Sequence, residues 1–471
     1  IGSEDFQTNS GTGSEYTSNS VFGRVIYSYA DRYLFQANVR HDGSSRFAKG
    51  YRWGTFPSFS AGWVASEEKF MKNLKWDWLS FLKLRGSWGM LGNERIGSNY
   101  FPYIALMSFG NSLFYMADGS VVSDKTARPA VLAVEDITWE TTTSTDLGLD
   151  VNFLNNRLQF HFDYYWKETK DMLLNIEIPY FMGYNNPSTN AGKMSTHGYD
   201  IEVAWNDQIG DFKYGVNVNF SDFLSKIDYM NDGEQISGGK IKRAGVLFNE
   251  FYGYVCEGIY QTQEEVNNSA RTSTTVTVGD LKYRDISGPD GVPDGVISPE
   301  YDRVPLGNSL PRFQYGGSLN ASYKGIDFSL AFRGIGKQNS YLSTSMVQPL
   351  RDNYGNVPAI LEGKYWSPFN TTEENLAAKY PRLSNVSKSN NYATSNFWMF
   401  NGSYFRLKNI TLGYTLPKSW TQKAGINRAR FYVSGSDLFC LSNFPSGWDP
   451  EMGTSDYPIT TSLVMGIQVN F

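Results

Sequence analysis

Residues 157–168, RLQFHFDYYWKE, alternate strictly. Leu158, Phe160, Phe162, Tyr164 and Trp166 interleave with Gln159, His161, Asp163, Tyr165 and Lys167. A period of two over that length predicts a β-strand with one apolar and one wet face. The pattern recurs at 199–206, where Tyr199, Ile201, Val203 and Trp205 oppose Asp200, Glu202, Ala204 and Asn206, and again at 212–221. It also closes the chain: Ile459, Leu463, Met465, Ile467, Val469 and Phe471 face one way, Thr460, Ser462, Gly466, Gln468 and Asn470 the other.

Working outward, strands are expected near 19–29, 33–43, 53–65, 81–92, 143–153, 157–169, 196–206, 211–223, 312–323, 326–336, 402–416, 428–440 and 458–471. The connections alternate in length. One side has 30–32, 154–156, 207–210 and 324–325, with 66–80 and 417–427 as medium members; the other has 44–52, 93–142, 170–195, 224–311, 337–401 and 441–457. Two architectures use such strands. In a soluble sandwich the apolar face meets a second sheet; in a transmembrane antiparallel β-barrel it meets lipid and the polar face lines a wet interior. Strands of about 9–11 residues are long enough to cross a tilted span. Aromatics such as Tyr27, Tyr29, Tyr164, Trp166 and Tyr323 suit interfacial girdles, and short turns opposite long loops are the asymmetry of outer-membrane barrels. The all-β barrel is therefore expected over 19–471. If the last strand ends in the periplasm, residues 1–18 are a remnant of an extracellular loop, and thirteen strands would be the C-terminal part of a barrel of about 22, whose lumen a plug fills.

Composition agrees. Of 471 residues, 16% are aromatic and only 19% charged, below the roughly 25% of an average domain. No run approaches the roughly 18 apolar residues of a membrane-crossing helix. A net charge of −5 argues against a nucleic-acid partner, and two Cys exclude a disulfide scaffold or a four-Cys zinc site. Neither HExxH, a Walker loop nor GxSxG is present, so no enzyme chemistry is expected. Gly334 and Gly336 form half a dinucleotide fingerprint but read as small lumen or bend residues within a strand. His41, His161 and His197 are scattered and read as residues of wet faces or loops.

Several stretches resemble the SusC/RagA family of TonB-dependent outer-membrane transporters of Bacteroidetes: NGSYFRLKNITLGYTL at 401–416, RFYVSGSDLFCLSNFPSGWDPE at 430–451, DLKYRDISGPDGVPDGVISPEYDRVPLGN at 280–308, GKYWSP at 363–368, VFGRVIYSYADRYLFQANVRHDGSSRF at 21–47 and FLKLRGSWGMLGN at 81–93. The resemblance implies the middle and end of the family's barrel. The plug, its TonB-contacting box and the first strands have no counterpart here. It further implies energised import of oligosaccharides or oligopeptides, with TonB acting through the plug and a SusD-like surface lipoprotein as lid. The plug and first strands would belong to a separate chain or to a part not represented. A passive porin and a secreted glycan-binding β protein are the alternatives.

Four local features are candidates for more than wall. Asp285, Asp290, Asp294 and Asp302 offer hard oxygen donors on tight turns, which suits Ca²⁺; the alternative is a loop whose Asp side chains hold its own backbone. Trp366, Trp398 and Trp448, with Tyr365 and Phe397 beside them, offer flat faces for sugar rings, or else they pack the loops or a lipoprotein. Cys256 and Cys440 both fall on the long-loop side, where an oxidising compartment permits pairing; otherwise each is a small buried hydrophobe. Phe471, a terminal aromatic on an amphipathic strand, resembles the signal read by barrel-assembly machinery.

Overall fold

The computed structural model describes residues 11, 13, 15–74, 76–96, 100–231, 233–342, 344–350, 356–453, 457 and 459–471. Thirteen strands pair antiparallel, in chain order, into one sheet. They are β1 Ser18–Tyr29, β2 Tyr33–Ser44, β3 Trp53–Val64, β4 Leu79–Asn93, β5 Glu140–Phe153, β6 Leu158–Asn175 and β7 Ser188–Ile209. β8 Phe212–Met230, β9 Arg312–Tyr323, β10 Ile326–Lys337, β11 Tyr404–Thr415, β12 Arg428–Ser442 and β13 Ser462–Asn470 complete it. The remaining sheets, of four, two, two and two strands, all lie within the long connections. Most of the expected 1–18 loop falls outside the described residues.

The register shows how the alternation is used. Tyr323, Ile326, Tyr414, Phe431 and Ile467 stand side by side across β9–β13. Two residues along, Ala321, Phe328, Leu412, Val433 and Met465 form the next row of the same face. One residue further along, on the opposite face, run Asn320, Ser329, Thr411 and Ser434, and Thr411 and Ser434 join hydroxyls at 2.8 Å. The apolar face is bare: Leu412 is 55% and Met465 74% exposed. No second sheet covers it among the described residues, so the sandwich alternative fails. A bare apolar wall of this extent is suited to lipid, with the polar face turned to a wet interior. The outer edges of β1 and β13 pair with nothing among the described residues, so the sheet is an open portion of a barrel wall.

The short turns have the geometry that two twisted strands demand. Ala30 and Asp31 both take positive φ, as do Lys324 and Gly325, the primed-turn conformation whose twist matches flanking strands. A Cβ on Gly325 would also lie 2.6 Å from the Thr415 carbonyl oxygen. Stacked rings gather on this rim, including Trp76 on Trp78 at 5.3 Å, Trp78 on Phe153 at 5.8 Å and Phe212 on Tyr214 at 5.5 Å. The medium 66–80 connection is tied down by Glu68, which accepts from Arg32 at 3.0 Å, the Tyr33 hydroxyl at 2.5 Å and the Trp63 indole at 3.2 Å.

The expected strands differ from the observed ones mainly at the long-loop rim. β6, β7 and β8 continue past 169, begin before 196 and run past 223. There the loops cover part of the sheet, burying Ala191, Ile227 and Met230, and the ladder continues where apolar alternation stops, through register shifts between Thr169 and Met172 and between Ile227 and Tyr229. β13 begins at Ser462 rather than 458. The 93–142 connection is not plain loop: Leu106–Tyr115 and Val121–Val131 form a hairpin.

A lysine on each face separates the two solvents. Leu412→Lys should cost about 2–4 kcal/mol if it lies near the bilayer midplane, whereas Asn320→Lys, on the opposite face, should be nearly neutral. Denaturant titration of the barrel in lipid vesicles checks this; equal costs would contradict the face assignment.

Candidate functional site

Two structures built on the sheet can carry function: the polar inner wall, and a folded loop body at the long-loop rim. On the wall, Arg85 of β4 stands level with Gly148 of β5 and Asp163 of β6. Because Gly148 has no side chain, the Arg85 guanidinium passes over it; a Cβ there would sit 2.4 Å from the guanidinium carbon. Arg85 thereby reaches Asp163 at 2.7 Å, Asp150 at 3.2 Å and Asp146 at 3.6 Å. His161 contacts Asp150 at 2.9 Å, which places it on the wet face as expected. His41, stacked on Trp53 at 4.7 Å, and His197 are both exposed. Gly334 lies in β10 against the Tyr315 ring.

The connections 231–311 and 338–403 fold together. The first supplies a four-stranded sheet, Glu234–Ser237, Lys240–Arg243, Glu250–Tyr254 and Arg303–Asn308, and the pair Cys256–Ile259 with Leu281–Tyr283. The second supplies Asn339–Tyr341 with Met399–Asn401. Their apolar residues merge into one core: Tyr254, Leu281, Tyr283 and Ile297 from one connection, Met346, Val347, Leu361 and Trp398 from the other. A buried polar knot fastens the join. The Asp280 carboxylate, with no exposed surface, accepts from Arg382 at 2.7 Å, Asn391 at 2.9 Å and the Thr277 amide at 2.9 Å. Asn390 donates to the Leu281 carbonyl at 2.9 Å, and the Tyr283 hydroxyl donates to the Asn390 carbonyl at 2.6 Å. Nothing in the sequence flagged this knot. Asp280 and Arg382 are 102 residues apart, and no periodicity marks either.

A strap links the body to the wall. Trp448 packs against the loop core. Next to it, Asp449 accepts from the Arg406 Nη2 of β11 at 2.6 Å, and Glu451 lies 2.6 Å from Arg406 Nε and 3.4 Å from Arg333 of β10. Arg406 is only 3% exposed. Removing one partner from such a buried ion pair costs about 3–5 kcal/mol, although the intact pair adds little net stability; its use is to fix position.

The sequence candidates are placed as follows. Trp398 is 1% exposed, donates to the Asn391 carbonyl at 2.8 Å and stacks with Tyr380 and Tyr392. Trp366 is buried against Gly279 and donates to Gln261 at 3.3 Å. Trp366 and Trp398 are thus packing residues rather than free sugar-stacking faces, because their rings are already covered, while Trp448 is partly buried against the loop core. The aspartates hold their own loop. Asp302 is fully buried and accepts from the amides of Ile286, Ser287 and Ser298 at 2.7, 3.2 and 2.7 Å. Asp285 accepts from the Gly295 amide at 2.7 Å and Asp294 from the Val296 amide at 2.9 Å, while Asp290 is exposed. Among the described residues no three His, Cys, Asp or Glu side chains are placed to hold a metal ion. The loop is organised by carboxylates capping its own amides. Cys256 and Cys440 are both free; burial pushes the Cys256 thiol up to about 11. Phe471 is 86% exposed at the end of β13.

Comparison with known proteins gives the following. Residues 2–434 match the family model for TonB dependent receptor-like β-barrels. The TonB-dependent receptor P3 of Formosa agariphila is 31% identical across 96% of this chain and 45% of its own length. The TonB-dependent receptor SusC of Bacteroides thetaiotaomicron is 30% identical across 96% of this chain and 43% of its own. A solved structure of the RagAB peptide transporter superposes with a TM-score of 0.77 at 25% identity, covering 97% of this chain and 48% of that one. The chain thus spans under half the length of these relatives.

Two outcomes follow from the site geometry. Trp398→Ala, which opens a cavity in the loop core, should cost the loop body about 3–5 kcal/mol; limited proteolysis should then cut within 231–311 and 338–403 while the sheet survives. At neutral pH, Cys256 should resist iodoacetamide, because a raised thiol pKa leaves the thiolate scarce. Its alkylation, followed by mass spectrometry, should accelerate about tenfold per pH unit up to about pH 11; rapid labelling at pH 7.5 would contradict its burial.

Proposed function

This chain belongs to the TonB dependent receptor-like β-barrel family, and from that membership we propose that it forms part of the wall and the outer loop body of a plug-filled importer in the Gram-negative outer membrane. Further strands, bringing the barrel to about 22, close the free edges of β1 and β13 around a plug. They lie in the same polypeptide or in a companion chain. The long connections face the cell exterior and the short turns the periplasm. A SusD-like lipoprotein captures the cargo and closes over the barrel, and TonB pulls on the plug at the expense of the inner-membrane proton gradient. The cargo is an oligosaccharide or an oligopeptide; the likeness to RagAB supports including the peptide. The chain's part is binding and passage, without bond chemistry. Phe471, at the exposed end of β13, serves as the barrel-assembly signal.

The observation that carries this reading is the loop body. Two connections that could have been unrelated surface loops instead share one core and a buried ion pair, and the strap 448–451 ties them to the wall. A preformed body of that kind offers a lipoprotein a stable surface, which separate mobile loops would not.

Replacing 233–308 by a short linker should leave the barrel inserted and abolish co-purification of the lipoprotein; an intact complex would sink the lid contact. Collapsing the proton gradient should stop uptake, whereas unchanged uptake would favour a passive porin. Deleting Phe471 should lower the amount of inserted barrel without slowing uptake per inserted molecule, and normal surface abundance would remove the assembly role.

A further inference from the structure

The inner wall of β1–β5 bounds a cavity of about 980 Å³ near the long-loop rim. Arg46, just past the end of β2, lines it. Its backbone is held on both sides. The Arg46 amide donates to Ser44 Oγ at 3.2 Å, and Phe47 is fully buried among Phe56, Ile96, Ile137 and Trp139. Neighbouring segments are fastened as well: the Ser45 amide donates to the Thr17 carbonyl at 3.0 Å, the Thr17 amide to Ser45 Oγ at 3.0 Å, and the Tyr103 hydroxyl to the Ser45 carbonyl at 3.3 Å. These bonds bring Tyr16 and Tyr100 to the Arg46 side chain. Its guanidinium carbon lies 4.6 and 4.7 Å from the two ring centroids, and the rings stack at 5.7 Å.

Arg46 is 8% exposed, and its Nε and Nη1 have no acceptor among the described residues. Aromatic faces compensate the charge of a guanidinium but do not satisfy its in-plane N–H groups. Most buried polar groups find a hydrogen-bond partner, so donors left over on a buried cation call for an acceptor. Glu94 lines the same cavity, yet its Oε2 is also without a partner, and no ion pair joins it to Arg46. The obvious internal acceptor is thus present and not used.

We infer that Arg46, held at this cavity by Tyr16 and Tyr100, is a binding residue for a carboxylate carried by the transported ligand. The charge supports a singly charged group. Arg40, Arg46 and Arg95 line the cavity against Asp42 and Glu94, and Arg40 is already engaged by Asp42 at 2.6 Å. That leaves about one positive charge, matched to one carboxylate. The rest of the polar lining, including Ser58, Ser60, Asn38 and Gln36, supplies neutral donors and acceptors for the uncharged part of the ligand. Tyr16, 46% exposed, is the cover that swings away as the carboxylate takes over the Arg46 N–H groups. Two cargo types present this chemistry, a hexuronate sugar and the free C-terminus of a peptide. This deepens the import reading and rests on it only for the direction from which the ligand arrives.

The test is calorimetric binding to the purified full-length, detergent-solubilised transporter, without TonB or a proton gradient. Failure of binding is therefore distinguishable from failure of energised import. Four probes are used: a hexuronate tetrasaccharide, its carboxyl-reduced neutral counterpart, and a decapeptide with a free or an amidated C-terminus. One charged probe should bind at least tenfold more tightly than its neutral counterpart, and which one it is identifies the source of the carboxylate. Arg46→Gln should erase that ratio while leaving affinity for the neutral probe unchanged. Glu94→Gln should raise the ratio by removing a like charge. Should Arg46→Gln fail to give the compact band of a folded barrel on an unheated gel, Arg46→Lys replaces it; a point charge lacking the planar fork should reduce the ratio several-fold. Equal binding of charged and neutral probes in the native protein, or a ratio indifferent to residue 46, would overturn the assignment.

Discussion

A strand that crosses a membrane has to meet two solvents at once and leave no amide unpaired against lipid. The sheet follows from that requirement. Each strand pairs with its sequence neighbours, because antiparallel hairpins satisfy the ladder at the lowest loop cost. The register places Leu412 beside Val433 and Thr411 beside Ser434, so that whole rows are apolar or polar. A slip of one residue would invert every row. The register shifts between Leu79 and Phe81 and between Thr169 and Met172 fall where the demand of the lipid face has lapsed, whereas one between Ala331 and Phe332 lies in the middle of β10.

Outside the membrane band a different rule applies. The loop body has neither a lipid face nor a long ladder, and its strands are three to six residues long. Such short pieces are not stable alone. Stability comes from pooling: each connection contributes half of an apolar core, and Asp280 with Arg382 closes the seam. Burying a charge is tolerated because the remaining lone pairs of Asp280 are taken by Asn391 and the Thr277 amide. The two connections thus depend on each other for folding.

This difference explains what the sequence let one see. All thirteen wall strands were legible, since period-two alternation is a local signal repeated thirteen times. The hairpin at 106–131 was missed although Asp118 and Gly119 mark its turn, because Phe109, Leu113 and Tyr115 sit among Gly, Ser and Asn and Asn111 interrupts the apolar alternation. In the loop body, aromatic residues lack a period, so Trp366 and Trp398 looked as free to stack on a sugar as to fill a core. Only the partner surfaces decide that: Trp398 is closed by Tyr380 and Tyr392 of its own connection and Trp366 by Gly279 of the other, pairings that no local pattern marks. The aspartates of 285–302 were ambiguous for the same reason. Their donors are amides of their own loop, which a composition rich in Asp and Gly allows but does not specify. Arg46 carried no signal at all; its interest lies in two unsatisfied nitrogens, a property that exists only in three dimensions.

The strap shows how separated stretches become one contact. Arg406 stands in the YFRLKN segment and Asp449 and Glu451 in WDPE, over forty residues on. Arg406 sits on the wall and Trp448 in the loop core, so the strap spans the two bodies with no intervening chain to absorb movement. An apolar contact of equal area would hold as well in several positions, because hydrophobic burial is non-directional. The hydrogen bond from Arg406 Nη2 to Asp449 favours one, because that N–H must point at its oxygen, and Glu451 adds its charge beside Nε. The charge cluster is therefore better understood as setting the height and orientation of the loop body over the wall than as strengthening its attachment. Any lipoprotein that docks on the body inherits that orientation.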